Sequence, residues 1–357
     1  MRSWNSITLG EALPFKYGKN LPASKRTHSG EYDVVSSAGI IDSHDTAFTT
    51  EPCIVIGRKG SIGSLTYCSD PVWPTDTTFY VTGTPYCDLR FGYYVLQTLP
   101  INQMNNDSAV PGLNRNDAES LAFSLPPVSE QKAIAKVLSS LDDKIAVNNR
   151  VISYSSSLNQ LAVKQILAET EKTTTLGEEI ILNYGKSLPV KSRIQGNVVV
   201  IGSGGIIGTH NEALLNTPSI IIGRKGSIGT IYWLDKPSFP IDTTFWVETK
   251  RLPLEFVFYL LKTIDFSGLN TDSAVPGLNR NHAYDIKIPS VADKQAKSVI
   301  ERLQVFTRMI STLEQENQTL ARTRDELLPL LMSGKITVRD AEEASAEVGV
   351  DKHEVEE

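Results

Sequence analysis

The chain has 357 residues, 40% of them hydrophobic and 21% charged, with a formal net charge of −6. Those proportions are ordinary for a globular protein of two or three domains. There is no run of about 18 apolar residues and no signal-peptide pattern, so a membrane-spanning helix is excluded, no membrane partner is expected, and the expected location is the cytoplasm. The negative charge is unevenly placed: residues 340–357 hold eight acids and one lysine, which leaves the rest of the chain near +1, a balance open to nucleic acid as a partner.

Residues 1–128 read as an α+β module. A polar loop from Lys16 to Glu31 carries Lys19, Lys25 and Arg26. Cys53-Ile54-Val55-Ile56 is a β-branched run ending at a glycine, the pattern of a short buried strand. Gly57-Arg58-Lys59-Gly60-Ser61-Ile62-Gly63 then forms a turn, because glycines take backbone angles that other residues resist. Phe79-Tyr80-Val81 predicts a further strand, and Leu89 to Leu99 has helical spacing. Pro111-Gly112-Leu113-Asn114 is a turn leading to a helix with Asn116 as N-cap.

A junction, Leu125-Pro126-Pro127, precedes a long helix over 129–168 that starts at Ser129, with Glu130 in its first turn where the helix dipole favours a negative group. Its apolar positions are Ile134, Leu138, Leu141, Ile145 and Ile152, shifting to Leu158 and Leu161.

Residues 169–291 repeat the module. Gly57–Gly63 returns letter for letter at Gly223–Gly229, including Arg224, Lys225 and Ser227, and Ser108–Asn116 returns at Ser273–Asn281, including Asn279 and Arg280. Leu9-Gly10-Glu11, Gly18-Lys19, Gly39-Ile40-Ile41 with His44, and Asp76-Thr77-Thr78-Phe79 recur as Leu176-Gly177-Glu178, Gly185-Lys186, Gly205-Ile206-Ile207 with His210, and Asp242-Thr243-Thr244-Phe245. The unit is far longer than the roughly 20–50 residues of a solenoid repeat, so this is a duplicated domain. The loops Lys16–Glu31 and Tyr184–Gln195 diverge, and the second carries Lys186, Lys191 and Arg193.

A second long helix over 292–336 places Leu303, Phe306, Ile310, Leu313, Asn317, Leu320, Arg324, Leu327 and Leu331 in steps of three and four, an a/d seam with Asn317 and Arg324 as polar register residues. Helices of roughly 38 residues extend about 57 Å. The favoured arrangement is an antiparallel pair related by an approximate twofold axis, a spacer with a module at each end; two separate partner-binding helices are the other reading. Residues 337–357 are acidic, lack aromatics and read as a disordered tail.

The candidate chemistry is that of a DNA reader. Arginine and lysine on a glycine-flanked turn can hold phosphate or a base edge, and the Ser61 and Ser227 amides can join them; a solvated basic hairpin has the same composition. Asn114-Arg115 and Asn279-Arg280 can reach adenine and guanine edges, or serve only as a turn and cap. Residues shared by both copies cannot distinguish two half-sites, so the divergent loops are the candidates for base selection. His44 and His210 read as structural, and Asp76 and Asp242 as turn residues. Asp242 with Glu248 and Lys250 imitates a metal-dependent nuclease, but Thr82 and Thr84 replace the latter two in the first copy. Gly202–Gly208 misses the dinucleotide-binding pattern. Cys53, Cys68 and Cys87 are unmatched in the second copy and read as buried free thiols, and no metal site is expected.

The run Leu125-Pro126-Pro127-Val128-Ser129-Glu130-Gln131-Lys132-Ala133-Ile134-Ala135, then Leu141-Asp142-Asp143-Lys144-Ile145 and Asn148-Asn149, with Val110-Pro111-Gly112-Leu113-Asn114 ahead of it, resembles the specificity subunit of type I restriction–modification systems. The resemblance covers all but the acidic tail, although Ser290, Asp293 and Ala296–Val299 follow the pattern only loosely. It implies a noncatalytic subunit with two target recognition domains, each reading half of a split site in double-stranded DNA, and with helices that set the gap. Two methyltransferase subunits would dock along those helices and use S-adenosylmethionine; motor–nuclease subunits would use ATP and Mg2+. No cofactor is implied on this chain, and no methyltransferase tetrad is present. The other readings are a noncatalytic protein-binding scaffold and, last, a nuclease.

Overall fold

The computed structural model describes residues 4–104, 112–266 and 277–350, without the side chains of 293–295 and 298. The first four residues of the repeated Ser108–Asn116 motif, and of its twin, lie outside them. The chain divides into two compact units, residues 1–147 with 316–357, and residues 148–315. Both divisions fall inside long helices, so the expected spacer helices at 129–168 and 292–336 are shared between units rather than standing apart from them.

The first unit runs β1 (Asn5–Thr8), α1 (Leu9–Ala12), β2 (Lys16–Tyr17), β3 (Tyr32–Ser36), β4 (Gly39–His44), β5 (Cys53–Gly57), β6 (Leu65–Cys68), β7 (Trp73–Pro74), β8 (Thr78–Val81), α2 (Leu89–Thr98), α3 (Arg115–Glu119), β9 (Ala122–Leu125) and α4 (Val128–Ala168) as far as Val147. One sheet has the order β2-β8-β5-β6 and another β4-β3-β7, while β1 pairs antiparallel with β9 and ties the two ends of the module together. β5 is buried along its whole length, which is why its sequence is β-branched rather than alternating. Cys53 and Cys68 lie opposite each other on β5 and β6, and all three cysteines are free and buried. Burial pushes the Cys87 thiol up to about 12.

The second unit repeats this plan from the second half of α4: β10 (Thr173–Thr175), α5 (Leu176–Glu179), β11 (Ile180–Tyr184), β12 (Val198–Gly202), β13 (Gly205–His210), β14 (Ser219–Gly223), β15 (Ile231–Leu234), β16 (Ser238–Pro240), β17 (Thr244–Thr249), α6 (Leu254–Leu261), α7 (Arg280–Tyr284), β18 (Lys287–Pro289) and the first half of α8 (Asp293–Met332). Its sheets, β11-β17-β14-β15 and β13-β12-β16, match those of the first unit strand for strand. The architecture is α+β with tandem modules, as the duplication implied.

The long helices run antiparallel within each unit. In the first, Asp142 of α4 pairs with Arg324 of α8, and Lys144 pairs with Glu316 at 3.5 Å. In the second, the Arg302 guanidinium donates to the Leu158 carbonyl at 3.4 Å. Ile134, Leu138, Leu141, Leu320, Leu327 and Leu331 belong to the core of the first unit, with Ile145 packed against it. Leu303 belongs to the core of the second, whereas Ile152, Ile310 and Leu313 are half-buried. Asn317 is half-buried on α8.

Two expectations about these helices are corrected. The α4 seam does not pass to Leu158 and Leu161, which are 53% and 63% exposed; Ser155, Asn159, Val163 and Leu167 face inward instead. The Asn159 amide nitrogen donates there to the Tyr259 hydroxyl at 3.2 Å, while its Oδ1 has no partner among the described residues. Nor is 337–350 disordered: α9 (Val338–Glu347) starts from a Thr337–Asp340 capping box and puts Ala341, with Val350 beyond its end, into the core of the first unit.

Gln131 explains much of the motif at the start of α4. It is fully buried, donates to the Tyr86 and Pro126 carbonyls at 2.8 Å each, and accepts the Asp88 amide at 2.8 Å. One side chain thereby ties the start of α4 to the strand before it and to the N-cap of α2.

Candidate nucleic-acid interface

The Gly57–Gly63 turn is shaped by its glycines in two ways. Gly60 and Gly63 have φ of 77° and 71°, a region that favours glycine, and a Cβ on Gly57 would lie 2.0 Å from the Ser61 carbonyl. Gly226, Gly229 and Gly223 repeat this. The Arg58 and Lys59 amides both donate to the Thr77 carbonyl, and those of Arg224 and Lys225 to Thr243. Among the described residues nothing accepts from the Ser61 or Ser227 amide, and both serines are exposed.

The two repeated motifs meet. The Leu113 amide donates to the Arg58 carbonyl at 2.8 Å, and the Leu278 amide to that of Arg224 at 2.8 Å. This backbone bond brings Arg115 to the same place as Arg58, over one aromatic ring. Arg58 lies 5.5 Å and Arg115 6.0 Å from the Tyr17 ring; Arg224 and Arg280 lie 5.2 and 5.3 Å from that of Tyr184. Arg58 is aimed by a 2.9 Å bond to the Asp76 carbonyl, and Arg224 by a 2.7 Å bond to that of Asp242. Tyr17 and Tyr184 are 54% and 50% exposed, so each module presents an aromatic face flanked by two guanidinium groups.

The other candidates divide by how firmly they are tied. Arg26 and Arg193 hold their own loops: their Nε atoms donate to the Leu21 and Leu188 carbonyls, Arg26 pairs with Asp42 at 3.5 Å, and Arg193 also donates to the Ile207 carbonyl. The Ser43 amide holds the Asp42 carboxyl below its ordinary range, with His28 and Arg26 adding to the effect. Lys19 stands over Phe48 and Trp73, while Lys25, Lys59, Lys186, Lys191 and Lys225 are exposed.

Asn114 and Asn279, not Asn116 and Asn281, are the N-caps. Each side-chain oxygen accepts two amides of the following turn. That engages the acceptor which a bidentate adenine contact needs. The Ile194 amide donates to His210 Nδ1 at 3.1 Å, and His44 packs edge-on against Trp73. The nuclease imitation does not assemble: Asp242 sits in the turn before β17, Glu248 lies about 13 Å of strand beyond the first residue of β17, and Lys250 donates to the Gly177 carbonyl at 2.6 Å. Among the described residues no His, Cys, Asp and Glu grouping fits a metal ion, and no helix is long and apolar enough to cross a membrane.

Tyr17 and Tyr184 are the residues that sequence reasoning missed. The signal was one letter long, since each immediately precedes a repeated Gly-Lys pair.

Each unit thus carries the same cluster, a glycine-shaped basic turn joined through the backbone to an asparagine-capped helix whose first arginine faces an exposed tyrosine. The profile of the type I restriction modification DNA specificity domain matches residues 1–153 and again 163–322. The chain therefore belongs to the family of type I restriction–modification specificity subunits. It is 22% identical over 288 residues to the type I restriction enzyme MjaVIII specificity subunit of Methanocaldococcus jannaschii, covering 67% of this chain and 68% of that one. It is 25% identical over 145 residues to the EcoprrI specificity subunit of Escherichia coli, covering 38% and 35%. The type I restriction–modification S subunit of M. genitalium shares the fold, with a TM-score of 0.67 at 21% identity over 92% of this chain and 96% of that one.

Proposed function

We propose that the chain directs a type I methyltransferase and restriction complex to a bipartite DNA site, each module reading one half. The observation that carries this reading is the matched pair of clusters, Tyr17 with Arg58 and Arg115, and Tyr184 with Arg224 and Arg280. Basic turns hold phosphates and set the register, while side chains of the divergent loops enter the major groove and select bases. The long helices fix the gap between half-sites, as dimer geometry does in other DNA readers.

Two methyltransferase subunits dock along the helices. On α4, Val147, Val151, Tyr154, Leu158 and Leu161 recur in steps of three and four and are all exposed, a stripe suited to a partner helix. The methyltransferase flips the target adenine and uses S-adenosylmethionine; the motor–nuclease subunits use ATP and Mg2+, and no cofactor is assigned to this chain.

The test is a map of methylated adenines in cells with and without the gene, with its methyltransferase expressed and active. A split motif of fixed gap that disappears on deletion supports the proposal. An unchanged map removes it and leaves a scaffold that binds protein alone.

A further inference from the structure

The two clusters share their aromatic ring and both arginines, but not their surroundings. In the first module Arg115 Nε lies 3.1 Å from Glu119, whose carboxylate also accepts the Phe15 amide at 2.7 Å and is held in place by it. In the second, Tyr284 stands where Glu119 does, and its hydroxyl accepts the Leu182 amide at 2.8 Å. The backbone tie is therefore kept while the charge is removed. Among the described residues no carboxylate pairs with Arg280, whose described neighbour is the Tyr184 ring.

The rest of the short helix points the same way. α3 carries Asp117 and Glu119, whereas α7 carries His282 and Tyr284 at the matching positions. Asp285 follows α7 where Ser120 follows α3 and returns one negative charge, so the difference that bears on the arginine is the loss of the Glu119 carboxylate itself. The ligand of the clusters must also be common to both half-sites, because the contacting side chains are the same in both modules. The phosphodiester backbone is the group that any two half-sites share, whatever their bases.

We infer that the Tyr–Arg–Arg clusters are sequence-independent sockets for the DNA backbone, and that the second socket carries the larger electrostatic share because Tyr284 replaces the carboxylate that compensates Arg115 in the first. This rests on the DNA-reading proposal and adds a division of labour to it. One module is anchored chiefly by charge, and the other relies more on its remaining contacts. Glu119 is thus a tuning residue: it sets how much of the Arg115 charge reaches the phosphate.

The experiment measures affinity of the full chain, in complex with its methyltransferase subunits, for a duplex carrying the mapped site across a KCl series. Each uncompensated cation facing a phosphate adds about 0.9 to the slope of log affinity against log salt. Arg280→Ala is expected to lower the slope by close to that amount and Arg115→Ala by clearly less. Glu119→Gln keeps an acceptor for Phe15 and is expected to steepen the slope, so that the variant loses roughly 3-fold more affinity than the parent over a fourfold rise in salt.

Thermal melting of each variant separates misfolding from altered binding, and Glu119→Gln is the variant least able to disturb the fold. Equal slope changes for Arg115→Ala and Arg280→Ala, or an unaltered slope for Glu119→Gln, overturn the unequal sockets. A changed methylation motif in any of the three overturns the assignment to backbone. If the parent complex itself shows no salt-dependent binding to the duplex, the DNA-reading proposal fails first.

Discussion

Asp142 of α4 and Arg324 of α8 meet at 2.5 Å, and the same carboxylate accepts the Tyr94 hydroxyl of α2 at 2.6 Å. One acid thus joins both long helices to the globular part of the first unit. Burial and the Asp142 bond push the Tyr94 hydroxyl well above its usual range, so it stays a donor. A polar seam residue paired across the two helices also fixes their register, although Arg324 binds its neighbour Asp325 as well.

Removing Asp142 leaves Arg324 and Tyr94 without their shared acceptor. Asp142→Ala is expected to destabilise the first unit by about 2–3 kcal/mol. Asp142→Asn keeps an acceptor for Tyr94 and is expected to cost less. Urea unfolding of both variants checks the order.

Gln131 is a sharper test of the α4 motif. Gln131→Leu strands the Asp88 amide and two carbonyls in a buried place, with an expected loss of about 2–4 kcal/mol. Denaturant melts measure it, and hydrogen exchange at the Asp88 amide should rise well before global unfolding. A loss below about 0.5 kcal/mol would contradict this account of the motif.

Arg58→Ala and Arg224→Ala remove corresponding arginines from the two clusters. With both arginines as backbone contacts, each change is expected to weaken binding evenly across sequences and to lower the salt slope by about 1. Footprinting should show protection lost over a different half-site in each variant. Loss over the same half-site would break the link between module and half-site.

The exposed stripe of α4 makes a separate prediction. Leu158→Glu with Leu161→Glu changes side chains that already face solvent, so folding should be unaffected within about 0.5 kcal/mol. Co-purification with the methyltransferase should fall at least tenfold. Retained co-purification would move the docking surface elsewhere.

Acid should loosen two helix starts in the first unit. The Thr8 side chain and backbone hold the Glu11 carboxyl below 4.5, and the Thr337 backbone and side chain hold that of Asp340 below 3.8. A folded-state pKa below the unfolded one means that the stability is complete above the unfolded value and is lost as pH falls through the folded one. Protection of the α9 amides, corrected for the intrinsic pH dependence of exchange, is expected to fall between about pH 5 and pH 2 in the parent. Asp340→Asn should show little further fall over that range.

The duplication, the buried strands and both long helices were legible because each leaves a periodic or repeated trace. β5 and β14 announce themselves by β-branched runs closed by glycine, and α8 by steps of three and four. The second half of α4 was not legible, because periodicity assumes that apolar residues turn inward. Here Asn159 turns inward to the Tyr259 hydroxyl, and Leu158 and Leu161 face out.

The remaining misreadings have local causes. Composition hid α9: acidic residues suggested disorder, while the Thr337–Asp340 box and the inward Ala341 are single-residue signals. At the interface, Arg58 and Arg115 were each visible as motifs, but their common ring was not. Tyr17 sits on a two-residue strand whose partner, Phe79, lies far along the chain.

The interleaving of the units has a consequence for the order in which the protein is made. Residues 148–315 form an uninterrupted unit, but the core that holds Leu138 and Leu141 is closed by Leu320, Leu327 and Leu331. At about 5–20 residues per second, those leucines wait on the order of ten to forty seconds on the ribosome for their covering helix. The first module to emerge is thus the last to be sealed, and in that interval its bare helix face is a surface for chaperones to shield.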